Sequence, residues 1–325
     1  MRRLIAMSAP LMLAGCGGNQ SPLSPGGDQA VALYNLLLLS IVVCGIIYVL
    51  VLAGLGWGLY RRRTGSAVDQ SALDRGVWVA AGVILVGLTV LIVGSFLADR
   101  AVFATRGRDA MKVRVTGHQY WWRIEYRDAA TGRWIETANE LHLPQGRTTR
   151  VSLGSADVIH SFWVPNVAGK LDMIPGRRNL IDLTPRQLGW FRGQCSEYCG
   201  AQHAHMAFDV KVEPPAAFDA WLAAQALPAA APSDPVAQRG AAAFAGPCAA
   251  CHVVHGSAAA GRAGPDLTHL AARRSIAAGT LPMTRGNLQG WITQPQALKP
   301  GTMMPTIPLN PADANAIAHY LATRR

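Results

Sequence analysis

The sequence predicts a multidomain chain: a two-helix transmembrane hairpin, an all-β domain and a C-terminal all-α domain. Three observations predict it. Two apolar runs, 30–60 and 76–98, hold no charged residue, and each exceeds the roughly 20 residues a helix needs to span a bilayer. Between 109 and 212, short alternating apolar runs are punctuated by Gly, Pro and Asn, which is the pattern of a β-sandwich or barrel. Beyond a Pro- and Ala-rich stretch at 226–235 the chain becomes alanine-rich and helical in pattern. A length of 325 residues, 50% hydrophobic and 15% charged, leaves room for two soluble domains besides the membrane segments.

At the N-terminus Arg2 and Arg3 precede the apolar stretch Leu4 to Leu13, which is too short to span and reads as the core of a signal peptide over 1–15. Leu13-Ala14-Gly15-Cys16 resembles a bacterial lipobox. Cys16 would then be the acylated first residue of a segment 16–29; the alternative is an ordinary cleavage site with a stray cysteine. The loop 61–75 between the two apolar runs carries four Arg against two Asp, so positive-inside bias puts it in the cytoplasm and both soluble domains on the outer face of a bacterial inner membrane. Export sets nucleic acid aside as a partner. Neither run contains a His or a carboxylate, which excludes haem ligation and most proton conduction within the bilayer by this chain.

The all-β domain is expected over 109–225, with strands around Met111–Val115, Arg147–Leu153, Asn179–Leu183 and Phe208–Val212. It holds Cys195-Ser196-Glu197-Tyr198-Cys199-Gly200-Ala201-Gln202-His203, with Met206 just beyond and His160 upstream. Thiolate, thioether and imidazole together are the signature of electron-transfer copper. One Cys would make a mononuclear site, whereas two Cys four residues apart can bridge two copper ions. The alternative, a Cys195–Cys199 disulfide of an exported protein, leaves His160, His203 and Met206 without a reason. After the linker 226–235, the domain over 236–325 contains Cys248-Ala249-Ala250-Cys251-His252. C-x-x-C-H is the attachment motif of covalent haem c; half a zinc site is the alternative. Cys44 lies mid-membrane as an apolar filler, and no cysteine pair is left for a structural disulfide.

Further residues turn these motifs into a resemblance. They are Val158-Ile159-His160-Ser161-Phe162-Trp163-Val164-Pro165, Lys170-Leu171-Asp172-Met173-Ile174-Pro175-Gly176-Arg177 and Gly117-His118-Gln119-Tyr120-Trp121-Trp122. From the first apolar run to about residue 215 the chain resembles subunit II of the haem-copper cytochrome c oxidases, which carries the dinuclear CuA centre. The resemblance implies a cupredoxin-like Greek-key sandwich with ligands on loops at one end. It assigns CuA to His160, Cys195, Glu197 through its backbone oxygen, Cys199, His203 and Met206, with His118 and His205 outside the set. It also implies that the Glu197 side chain faces a magnesium site shared with subunit I.

The C-terminal part resembles the class I cytochromes c. Gly264-Pro265-Asp266-Leu267 matches the loop whose Pro carbonyl accepts a hydrogen bond from the proximal His, and Pro300-Gly301-Thr302-Met303-Met304-Pro305 matches the Met loop. Alignment on Pro-Gly-Thr favours Met304 over Met303 as the sixth ligand of a His/Met haem, a pairing that raises the potential. Asn310 and Pro311 suit the start of a final helix with Tyr320 on its apolar face; the resemblance implies that this helix packs across the domain's first one, around Gly240 and Phe244.

Two departures from the family matter. Where relatives have a Trp that accepts electrons from a soluble cytochrome, this chain has Tyr120, so Tyr120 and Trp121 form a possible relay, and at least one of Trp121 and Trp122 is expected to be plain core. Where relatives carry a Glu near the start of the second helix, it has Asp74 and Arg75. Residues 234–325 hold 8 Lys and Arg against 3 acids, and 109–225 hold 13 against 12, among them Glu125, Glu136, Glu140 and Asp157. A basic domain (+5 from these counts) on a ten-residue linker, at an effective concentration of about millimolar, can dock on an acidic patch of a nearly neutral one (+1 from the same counts); the alternative is that the Arg excess serves solubility and anionic lipid.

The resemblance implies an oxidoreductase subunit that passes electrons from a cytochrome or other donor through haem c and CuA to subunit I. There oxygen is reduced to water and protons are pumped, with subunit III as a further partner. Two readings from other classes remain. A free-standing membrane copper-handling or redox-sensing protein is one; a quinol oxidase subunit II, which keeps the fold but loses the copper ligands, is the other.

Overall fold

The computed structural model describes residues 17–63, 69–103 and 110–324, so the signal peptide and Cys16 lie outside the described residues. The chain divides into two compact units, Gln29–Ala104 and a second that joins residues up to Asp28 with Thr105–Arg325.

In the first unit, α1 (Asp28–Arg63) and α2 (Gln70–Phe103) are both long and apolar enough to cross a membrane. They pair antiparallel. A Cβ on Gly94 would lie against Leu39, and Gln29 Nε2 donates to the Val102 carbonyl at 3.0 Å where α1 begins and α2 ends; small residues at such a contact let helices approach. Two of their hydroxyls donate to carbonyls of the same helix, Ser40 Oγ to Leu36 O and Thr89 Oγ1 to Leu85 O, both at 2.8 Å, as a lipid environment favours. Side chains such as Ile41, Val49, Leu85 and Ile92 face outward.

The second unit begins with a sandwich of two five-stranded sheets. Its strands are β1 (Met111–His118), β2 (Trp121–Arg127), β3 (Trp134–Ala138), β4 (Glu140–Pro144), β5 (Thr149–Ser155), β6 (His160–Trp163), β7 (Leu171–Met173), β8 (Asn179–Leu183), β9 (Gly189–Cys195) and β10 (Ala207–Glu213). One sheet runs β3-β2-β1-β5-β8 and the other β4-β10-β9-β6-β7. Pairs β1/β5 and β4/β10 are parallel, and the rest are antiparallel. Alternation sends Trp122, Ile124 and Tyr126 of β2 inward against Phe162 and Phe208. Helix α3 (Pro215–Gln225) closes one end with Phe218 and Trp221 against Tyr126.

The register also gathers three strand ends. β6 starts at His160, β9 stops at Cys195 with Phe162 opposite it, and β10 resumes at Ala207. The segment 196–206 therefore loops over one end of a single sheet.

The C-terminal domain holds α4 (Pro235–Ala245), the hairpin β11 (Ser275–Ile276) and β12 (Leu281–Pro282), α5 (Arg285–Thr293), α6 (Pro295–Leu298) and α7 (Pro311–Ala322). Asp234 and Asn310 cap α4 and α7 by accepting from the N–H three residues on, each followed by Pro. Where α4 and α7 cross, a Cβ on Gly240 would land on the Ala316 carbonyl, and Phe244 packs on Tyr320 with ring centroids 5.9 Å apart.

The segment 226–235 is not the slack tether that its composition suggests. The Leu227 carbonyl is 3.0 Å from His269 Nε2, the Ala229 amide donates to His255 O at 3.0 Å, and Arg324 donates to Ala230 O. The two soluble domains are also in direct contact. Ala207 N–H donates to Ala278 O at 3.1 Å, Arg274 N–H to Glu140 at 2.8 Å, and Arg262 pairs with Glu136 at 2.9 Å. Two of the acids noted in the sequence, Glu136 and Glu140, thus receive the basic domain.

Candidate functional site

Six groups converge where the three strand ends meet. Cys195 Sγ lies 3.8 Å from His160 Nδ1, 3.7 Å from Cys199 Sγ and 3.2 Å from the Glu197 carbonyl oxygen. Cys199 Sγ lies 3.8 Å from both His203 Nδ1 and Met206 Sδ. The two sulfurs are far beyond the roughly 2.05 Å of a disulfide, so the disulfide alternative fails and both thiols are free. Loop turns hold the arrangement: His203 N–H donates to Gly200 O at 3.0 Å and Cys195 N–H to Met206 O at 2.9 Å. Gly200 has φ +125°, and the Tyr120 hydroxyl occupies the space where a Cβ would stand.

The ring of His160 is fixed from behind. Asp157 Oδ1 sits 2.7 Å from its Nε2, and the carboxylate is itself held by the amides of Gln119 and Val158, each at 2.7 Å. With Nε2 engaged, Nδ1 is the nitrogen presented to sulfur, the arrangement that fixes a metal-binding tautomer.

Charge is already organised without a metal. The neighbouring Cys199 thiol donates to Cys195 and drives its pKa down to about 3, whereas that same thiolate and burial push Cys199 upward. Burial opposes protonation of His160, but Asp157 and Cys195 outweigh it and raise its pKa to about 9. The pair therefore shares one proton, and a cation of charge two or more, once coordinated, would expel it together with that of His160. Two soft sulfurs, a thioether and two imidazoles fit copper in composition.

Of the residues set outside this group, His205 is exposed at the loop tip. His118 stacks on Trp121 with centroids 4.5 Å apart, and burial, then Arg123, pushes its pKa down to about 4.

The C-terminal domain encloses a cavity of about 400 Å³, lined by Cys248, Cys251, His252, Met303 and Met304 together with Phe244, Ile292 and Leu321. His252 Nδ1 donates to the Pro265 carbonyl at 2.8 Å, and burial lowers its pKa. The ring is therefore neutral with Nε2 available. Gly264 lies flush against it, where a Cβ would meet Cε1 at 2.5 Å. Gln296 secures the Met loop by donating to Thr302 O at 2.7 Å and Met304 O at 2.8 Å. Met304 is half-buried, whereas Met303 is 76% exposed.

A haem fits this cavity for a reason beyond the motif. The buried Arg273 lines it and donates to Asp266 O through Nη2, but its Nε has no partner among the described residues. Burial, the first cause, lowers its pKa. A haem carboxylate would supply the missing acceptor.

The same cavity is closed by the β-domain residues His118, Tyr120 and Trp121. Tyr120 packs over Gly200, and the preceding Gln119 donates from Nε2 to the Cys199 carbonyl at 2.6 Å. Trp121 is buried with Ala138 and Ala278, one from each domain. Trp122 is the plain core aromatic of the three, fully buried between Phe162 and Phe208. In the sequence Asp157 stands only as one of several scattered acids, Gln119 only as part of the Gly117–Trp122 segment, and nothing but its place after the Gly-Pro-Asp-Leu loop marks out Arg273.

Comparison with known proteins finds families for both soluble domains. The family described as "Cytochrome C oxidase subunit II, periplasmic domain" matches residues 128–213, and the family "Cytochrome c" matches 237–325. A protein named cytochrome c oxidase subunit 2 from Alkalihalophilus pseudofirmus is 33% identical, covering 96% of this chain and 93% of its own. One of the same name from Bacillus sp. strain PS3 is 35% identical, covering 90% and 88%. The solved periplasmic domain of subunit II of cytochrome oxidase from Bradyrhizobium japonicum is 31% identical over 37% of this chain and 96% of its own, with a TM-score of 0.35.

Proposed function

The chain belongs to the cytochrome c oxidase subunit 2 family, and from that premise we propose that it is the electron inlet of a haem-copper terminal oxidase. Electrons would run from a cytochrome or other donor through haem c and CuA to the haems of subunit I, where oxygen is reduced to water and protons are pumped. The observation that carries this reading is the joint one: six copper-type ligands within one loop cluster, and a haem cavity walled by the residues that pack on that loop.

Each cofactor, when bound, takes up and releases one electron at a time. The residues do the rest. His160, Cys195, the Glu197 carbonyl, Cys199, His203 and Met206 hold copper, and Asp157 keeps the His160 ring aimed inward. Cys248 and Cys251 would form the thioethers to a haem c, His252 and Met304 would ligate its iron, and Arg273 would pair with a haem carboxylate. Tyr120 and Trp121 fill the gap between the two sites and exclude water from it, which suits a relay. The Glu197 side chain supplies one ligand of a magnesium site completed by subunit I.

For placement, Arg61, Arg62 and Arg63 keep the loop between α1 and α2 in the cytoplasm. Residues 109–225 and 236–325 then stand as copper and haem domains on the outer face, joined by 226–235 and anchored further by a lipid on Cys16. Subunits I and III are the membrane partners. Replacing Cys199 with Ser tests the assignment. The electron paramagnetic resonance signal of one unpaired electron shared by two coppers should vanish while haem c stays attached; survival of that signal would remove Cys199 from the site.

A further inference from the structure

Lys299 is the one lysine of the C-terminal domain, and it is 1% exposed. Burying an ammonium is costly unless its hydrogen bonds are made. Among the described residues no carboxylate pairs with it. Its Nζ instead donates to three main-chain carbonyls, Tyr120 O at 3.1 Å, His205 O at 2.9 Å and Ala277 O at 2.8 Å. An ammonium has three donors, so all of them are used. The acceptors come from the β1–β2 turn, the copper loop and the β11–β12 turn, which makes two from the β domain and one from the C-terminal domain.

The next residue repeats the contact. Gln202 Nε2, in the copper loop, donates to the Pro300 carbonyl at 2.8 Å. Lys299 and Pro300 thus tie the root of the Met loop, which leads to Met304, to the stretch of loop that carries His203 and Met206. Burial pushes the ammonium down to about 7. Neither domain alone gives Lys299 a reason to be buried. The ion pair across the interface differs in character: Arg262, paired with Glu136, is 71% exposed in its side chain, and such rim pairs contribute little.

We propose that Lys299 is a positioning residue that locks the Met loop onto the copper loop and so sets the geometry for electron transfer from haem c to CuA. The proposal rests on the function given above. In the step it governs, one electron leaves ferrous haem c, which becomes ferric, and reduces CuA; no proton need move.

The test uses the full-length chain assembled in its oxidase, with Lys299→Met and Lys299→Gln. Haem c is photoreduced and the first-order transfer to CuA is followed. Lys299→Met should slow it about tenfold, equivalent to about 1.4 kcal/mol of docked geometry, and Lys299→Gln, which keeps two donors, should slow it less. Both midpoint potentials, the dinuclear copper signal and the Met-ligated haem spectrum should stay as in the wild type. Amide exchange should rise at Ala207 and Arg274, whose N–H groups cross the interface. An unchanged rate overturns the proposal, and so does a slowed rate with shifted potentials, because the driving force would then explain it. If Lys299→Met fails to assemble, Lys299→Gln decides by the same readouts. A wild type without the dinuclear copper signal would instead sink the functional reading, leaving the exchange data to judge the latch.

Discussion

Arg273 and Arg274 are adjacent and alike in sequence, yet one is buried beside the haem cavity and the other is half-exposed, its side chain 3.9 Å from Asp209. The difference is one of surroundings, and nothing in a dipeptide of two arginines announces it. Contiguous chemistry behaves otherwise. Cys195 to Met206 and Cys248 to His252 were legible because their spacing itself satisfies a metal or a porphyrin. Asp157, Gln119 and Lys299 were not, because each acts through a partner 3 to 179 residues away. Alignment favours Met304 over Met303, and Met303 is the more exposed of the two. Met304→Ala should abolish the sulfur-to-iron absorption band of haem c, whereas Met303→Ala should leave it intact; optical spectra of the oxidised variants decide.

At the level of elements, the strands do more than place ligands. β4 and β10 are joined by His142, whose Nδ1 lies 2.6 Å from Glu213 and Nε2 2.9 Å from Glu140, with Trp221 of α3 stacked on its face at 3.8 Å. Both nitrogens meet carboxylates, so both carry hydrogens. Burial opposes this charge, but the two acids outweigh it and raise the His142 pKa. A raised pKa stabilises the fold fully below the unfolded value of about 6.5, and that stability is lost as pH climbs through the folded value. His142→Asn should therefore cost about 3–5 kcal/mol near pH 6, the cost of breaking a buried ion group. The gap to wild type should narrow at higher pH, as thermal unfolding of the two proteins across pH would show. The triad was invisible in sequence because β4 and β10 are 71 residues apart between His142 and Glu213. The start of α7 at Asn310 and Pro311 and the Gly240 crossing were legible, since capping admits a few short polar residues and so close a crossing admits only glycine.

Over the whole molecule, composition revealed the two long apolar helices and the basic C-terminal domain, and the resemblance supplied the order of the cofactors. What composition could not convey was that the two soluble domains are docked. Net charge makes docking favourable without choosing a face, and the face is chosen by main-chain carbonyls that any sequence would possess. The docked arrangement brings Tyr120 and Trp121 to the wall of the haem cavity and the copper loop beneath Tyr120. The central claim is that haem c feeds CuA within one chain. Its most direct test is to photoreduce haem c in the full-length, copper-loaded protein and follow both cofactors at several protein concentrations. The account predicts that haem c reoxidises in a first-order step, matched by loss of the CuA near-infrared absorbance, at a rate independent of concentration. A rate that rises with concentration, or no reoxidation at all, would contradict it.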